Sequence, residues 1–246
     1  MTAFNTLLRD IEKFIKKPSL DPEQPLGFKQ QLSWLFKLLA IDYALMLVTL
    51  IPISFLVQED MVSEHRMDEF IELASPVIIF LSVVVAAPLI EETAFRLYLS
   101  GQPPALFISL ILMGFYFLMP LPSPTLYYAT ALYGGSLCIL LAFLVFNTNS
   151  PARLEKFWKH NFRWIYYFSA LLFGLVHLLN YELARPSLWL LAPILVLPQI
   201  LLGLLLGYVR IRQGFFLAIA LHALHNLILI VILLVMRYNG VDINSF

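Results

Sequence analysis

Charge is scarce in this sequence. Asp, Glu, Lys and Arg make up 13% of the 246 residues, and the 16 cations are balanced by 16 anions. Soluble domains carry about 25% charged residues, so an ordinary soluble fold is excluded. A net charge of zero leaves no basic footprint for a nucleic-acid partner. Cysteine is almost absent. Cys138 stands alone, which rules out an intrachain disulfide framework, a CxxC redox pair and a cysteine-rich metal site. Set in an apolar run, it reads as a small buried hydrophobe. No Gly/Ser-rich linker divides the chain, no internal repeat is apparent, and no HExxH metalloprotease pattern occurs.

Apolar residues fill the space that charge leaves. They make up 60% of the chain, with 20 Phe, 11 Tyr and 4 Trp, and the mean hydropathy is +0.82. A spanning helix needs roughly 20 apolar residues. By that measure candidate spans lie near 37–57, 74–100, 104–121, 125–147, 163–183, 187–209 and 213–236. The expected fold is all-α, a polytopic membrane helical bundle of seven or eight transmembrane helices. Residues 34–246 form its membrane domain.

Residues 1–33 differ. Phe4, Leu7, Leu8, Ile11 and Ile15 recur at helical spacing, with Arg9, Asp10, Glu12, Lys13 and Lys16 on the other face. That pattern suits an amphipathic helix lying in the membrane interface, ended by the proline-rich stretch from Pro18 to Pro25. No apolar core of 7–15 residues follows the basic start, so it does not read as a secretory signal.

Lys and Arg favour the cytoplasmic side of a membrane protein. Six lie in the arm up to Lys37, four in the expected loop 148–163, and Arg210 and Arg212 follow; the opposite side holds Arg66, Arg185 and Arg237. That opposite side also carries Glu59, Asp60, Glu64, Asp68, Glu69 and Glu72. The expectation is an integral protein of the plasma (inner) membrane with a cytoplasmic N-terminus.

Ionisable groups within a bilayer are costly and mark functional sites by default. They cluster in three segments: Glu91-Glu92-Thr93-Ala94-Phe95-Arg96, Phe173 to His177, and His222 to Asn226. Residues three or four apart share a helix face, so Glu92 can pair with Arg96, and His222 lies beneath Asn226. Glu91 points about 100° away from Glu92 and can face a cavity while its neighbour is held. Adjacent buried carboxylates repel, which suits the unneutralised one to taking a proton from water and returning it. His177 could share that water, and His222 and Asn226 could donate to an oxyanion. Glu91, His177 and His222 are also a possible zinc set. Asp42, Asn180 and His225 read as structural.

The three segments resemble the EExxxR, FxxxH and HxxxN motifs of the CAAX-processing and bacteriocin-processing (CPBP/Abi) intramembrane proteases, in the same order and on separate spans. The resemblance covers about 75–230. It implies a glutamate-dependent endopeptidase acting without a cofactor on a membrane-associated peptide or lipoprotein, such as a lipidated CAAX-like substrate. It further implies that Glu91 and His177 activate water, that His222 and Asn226 form the oxyanion hole, and that Glu92 and Arg96 shape the site. Two other readings remain open from the residues: a proton-coupled transporter, since buried Glu and His also mark proton paths, and a non-catalytic immunity or scaffold protein.

Overall fold

The structure is a computed structural model that describes all residues except 1–2, 21–25, 57–61, 64–69, 71–72, 119–121, 147–149, 181, 184–185 and 240–246. The acidic residues Glu59, Asp60, Glu64, Asp68, Glu69 and Glu72 lie outside the described residues, as do Arg66 and Arg185.

Helices dominate, as the composition requires. They are α1 (Ala3–Lys16), α2 (Phe28–Leu56), α3 (Pro76–Ser100), α4 (Pro103–Leu118), α5 (Ser123–Phe146) and α6 (Ser150–Val176). A 3₁₀ turn at His177–Asn180 extends α6, and α7 (Ala192–Leu195), α8 (Leu197–Arg212) and α9 (Phe215–Tyr238) complete the set. Two-residue strands β1 (Val62–Ser63) and β2 (Glu182–Leu183) pair antiparallel, tying the connection after α2 to the one after α6. Among the described residues, five helices are long and apolar enough to cross a membrane. Trp189–Leu195 with Leu197–Arg212, bent by 41°, is a broken span or a re-entrant loop and brings the number to six if the pair counts as one span, and Pro103–Leu118 is a shorter apolar helix. Leu47, Val48, Ile78, Leu81, Ile232 and Val235 are exposed, an outer surface that only lipid would cover.

At the centre, α8 packs along α6. Lipid tails are as apolar as leucine, so helices in a bilayer associate through close packing of small residues and polar contacts. Gly203 and Gly207, one turn apart on α8, supply the first. A Cβ at Gly203 would lie 3.1 Å from Ala170 Cα, and one at Gly207 would lie 2.8 Å from the Tyr166 ring. Tyr166 Oη then donates to Leu204 O at 2.6 Å.

Two boundaries differ from the sequence reading. The segment 148–163, expected as a basic loop, is helical from Ser150 onward. Pro151 suits a first helical turn, Lys159 pairs with Glu155 one turn back at 2.8 Å, and Trp158 and Phe162 on one face are buried. The second difference is α5, which packs against α4 and the flank of α6 while most of its surface stays exposed. Cys138 is accordingly exposed rather than buried.

The amphipathic α1 turns its apolar face to protein. Leu7, Ile11 and Phe14 are buried, while Phe4 and Leu8 remain exposed. Phe14 fits between the rings of Tyr166 and Tyr208, and Asp10 accepts from Tyr208 Oη at 2.6 Å. Arg212 Nη2 lies 3.5 Å from the same carboxylate.

Candidate active site

The third span is not a uniform helix, and its irregularity sets up the site. After one α turn at Pro76–Ile79 it becomes a π-helix over Phe80–Ala86, and it is α-helical again over Ala87–Phe95. In the π stretch the Ala87 N–H bonds Ser82 O. The next carbonyl in that register, Val83 O, would need an N–H from residue 88, which is Pro88 and has none. Asn226 Nδ2 on α9 donates to that carbonyl at 2.8 Å. The motif asparagine is therefore anchored to a backbone group that the sequence itself left unpaired.

Just beyond, α3 gives way at Arg96 to a 3₁₀ turn (Leu97–Ser100) and ends on Gly101, whose φ of 70° is left-handed. Glycine tolerates that conformation and commonly ends helices in it. The helix-end carbonyls left open are taken by serines of neighbouring helices. Ser109 Oγ donates to Thr93 O at 2.7 Å, and Ser169 Oγ to Phe95 O at 2.5 Å.

On this scaffold the glutamates separate as their helical positions require. Glu92 and Arg96 are both fully buried, and Arg96 Nη1 lies 3.2 Å from Glu92 Oε1. The guanidinium lies over the Phe173 ring, 3.8 Å from its centroid, a cation–π contact that desolvation strengthens. His222 Nδ1 meets Glu92 Oε1 at 2.9 Å. Against a carboxylate acceptor, Nδ1 carries the proton, and the ring turns Nε2 towards Glu91, 3.7 Å from Oε2. That gap exceeds a hydrogen bond and suits a bridging water.

His177 closes the α6 side. Its Nδ1 lies 2.7 Å from Phe173 O. A carbonyl only accepts, so Nδ1 carries the proton and Nε2 holds the lone pair in the neutral ring. Phe173 is a shared platform, its centroid 4.7 Å from the His177 ring and 5.7 Å from the His222 ring. Glu91 and His222 are among the groups whose charges act on His177.

The six residues singled out in the sequence thus gather on α3, α9 and the end of α6. Three further contributors were given no role there. Val83 offers its carbonyl, and the signal was Pro88 five residues on. Phe173 stacks under Arg96. Tyr116 of α4 lies near enough to Glu91 to interact with it electrostatically, with its ring 5.4 Å from Phe95; no pattern in the sequence marks it out. Asn180, read as structural, ends the 3₁₀ turn. Among the described residues, no group of three His, Cys, Asp or Glu side chains is arranged to hold a metal ion.

Comparison with known proteins bears on the same stretch. The model of the family described as "Type II CAAX prenyl endopeptidase Rce1-like" matches residues 73–228, which contain all three polar segments. No curated protein and no solved structure matches the chain. The match spans more than half the sequence, and the long apolar helices place the chain in a bilayer. The protein belongs to the Rce1-like family of type II CAAX prenyl endopeptidases and is an integral membrane protease.

Proposed function

We propose that the protein is a glutamate-activated intramembrane endopeptidase, hydrolysing a peptide bond of a membrane-associated substrate without a metal cofactor. The observation that carries this reading is the division of labour between the adjacent glutamates. Glu92 is held by Arg96 and His222, at 3.2 and 2.9 Å, whereas Glu91 faces His222 Nε2 across 3.7 Å.

In this reading a water lies between Glu91 and Nε2 of His177. Glu91 takes a proton as the water oxygen attacks the scissile carbonyl carbon, and it later returns that proton to the departing amine. His177, whose Nδ1–H is committed to Phe173 O, orients the water through its Nε2 lone pair. The developing oxyanion is held by His222 and by the N–H of Asn226 that Val83 does not use. With Nδ1–H given to Glu92, donation to the oxyanion requires a proton on His222 Nε2, the atom that faces Glu91. Tyr116 steadies Glu91. The substrate class, a lipidated CAAX-like protein or another membrane-anchored peptide, is taken from the family. The N-terminus is assigned to the cytoplasm by the Lys/Arg distribution.

The test uses purified protein in detergent with a quenched fluorescent peptide library that includes farnesylated CAAX peptides. Wild type, Glu91→Gln and His222→Ala are run with and without chelator. Cleavage by wild type alone, unaffected by chelator, is the expected result. Cleavage retained in Glu91→Gln would refute the glutamate reading. No cleavage by any form would favour a non-catalytic immunity or scaffold role.

A further inference from the structure

A second buried acid–histidine pair lies one helical step from the first. Asp42 Oδ2 on α2 meets His225 Nδ1 on α9 at 2.5 Å, and both side chains are buried. Tyr43, the next residue, donates its hydroxyl to His225 O at 2.7 Å and lies nearly parallel to the imidazole, with centroids 5.4 Å apart. Among the described residues, His225 is the polar partner of Asp42, with Leu38, Leu39 and Ile41 buried nearby. The catalytic cluster contains neither residue, and α2 lies outside the segment matched by the family model.

The spacing on α9 gives the pair a purpose. At 100° per residue, His222 and Asn226 lie within about 40° of each other, and His225 lies about 60° from His222 on its other side. One turn of α9 is therefore gripped from two directions. His222 and Asn226 bond α3 through Glu92 and Val83, and His225 bonds α2 through Asp42. The intervening residues are Ala223 and Leu224. Rotating an apolar helix in lipid only exchanges one apolar contact for another, so the rotation of α9 is set by its polar contacts.

Resting on the protease reading above, we propose that Asp42 is a positioning residue. Through His225 it fixes the rotation of α9 that brings His222 Nε2 and the Asn226 amide to the oxyanion position.

The experiment compares wild type with Asp42→Asn, Asp42→Leu and the double variant Asp42→Leu/His225→Phe. Their kcat, KM and Tm are measured, together with the ring ¹⁵N NMR signals of His222 in detergent. Displacing a catalytic donor by 1 Å costs about 10²-fold, so Asp42→Leu is expected to lose about that factor in kcat with KM unchanged and a shifted His222 signal. Asp42→Asn keeps an acceptor for Nδ1–H and should retain most of kcat. The double variant replaces both polar partners with apolar groups, which is nearly neutral for stability. It should melt like wild type yet keep the kcat defect, so a folding failure in Asp42→Leu leaves the question answerable. Wild-type kcat and an unchanged His222 signal in the double variant would overturn the proposal and leave the pair a structural tether. If wild type cleaves no peptide, the protease reading fails, and the His222 signal alone decides the positioning claim.

Discussion

His222 and Glu92 share a 2.9 Å hydrogen bond between α9 and α3, and through it the glutamate that looks like a mere partner for Arg96 also sets the orientation of the imidazole proposed to hold the oxyanion. The bond commits Nδ1, so any proton that His222 donates towards substrate must come from Nε2, the atom facing Glu91.

Glu91→Gln should fold, because its side chain is partly exposed and lacks the close guanidinium contact that Glu92 makes. General base catalysis contributes about 10²–10⁴-fold, so cleavage should fall by about 10³-fold. Tyr116→Phe, which loses only the hydroxyl, should reduce kcat much less. A Tyr116→Phe enzyme as inactive as Glu91→Gln would show that the phenol takes part in the chemistry.

Arg96→Met should be among the most destabilising single changes. Breaking a buried ion pair by removing one partner costs about 3–5 kcal/mol, and here fully buried Glu92 loses its guanidinium and keeps the His222 contact. The double variant Glu92→Gln/Arg96→Met should recover part of that loss in Tm. Additive losses would mean that the 3.2 Å contact carries little energy.

Pro88→Ala restores an N–H opposite Val83 O in the π register. The Asn226 side chain then loses its sole claim to that carbonyl. Stability should hold or rise while kcat falls, because the amide is no longer anchored. Asn226→Leu should instead leave Val83 O unpaired, at about 1–3 kcal/mol, and lose activity as well. Equal kcat in Pro88→Ala and wild type would separate the anchor from the oxyanion role.

Asp10→Ala removes the acceptor for Tyr208 Oη and the counter-charge of Arg212. A hydrogen bond to a charged group is worth about 1.5–3 kcal/mol. Amide exchange across Ala3–Lys16 should therefore quicken, with α6 and α8 unaffected. Exchange that stays slow would mean that burial of Leu7, Ile11 and Phe14 suffices to dock the arm.

Much of this was legible in the chain. Long apolar runs demand helices in lipid, because an unpaired backbone group there has no water to turn to. Glu91, Glu92, Arg96, His177, His222 and Asn226 stood out because polar groups in such runs need a reason to be there. The Glu92–Arg96 pair followed from a four-residue spacing alone. What the chain could not disclose were contacts between groups distant in sequence. Asp42 and His225 each look like isolated polar residues, and they are paired only because α2 and α9 pack side by side. Tyr116 is one of 11 tyrosines until α4 brings it near Glu91. The orphaned Val83 carbonyl depends on a π register that no propensity rule assigns, and the division between the glutamates became definite once His222 crossed from α9. Local sequence determined which residues must find partners in a medium without water, and tertiary packing decided which partners they found.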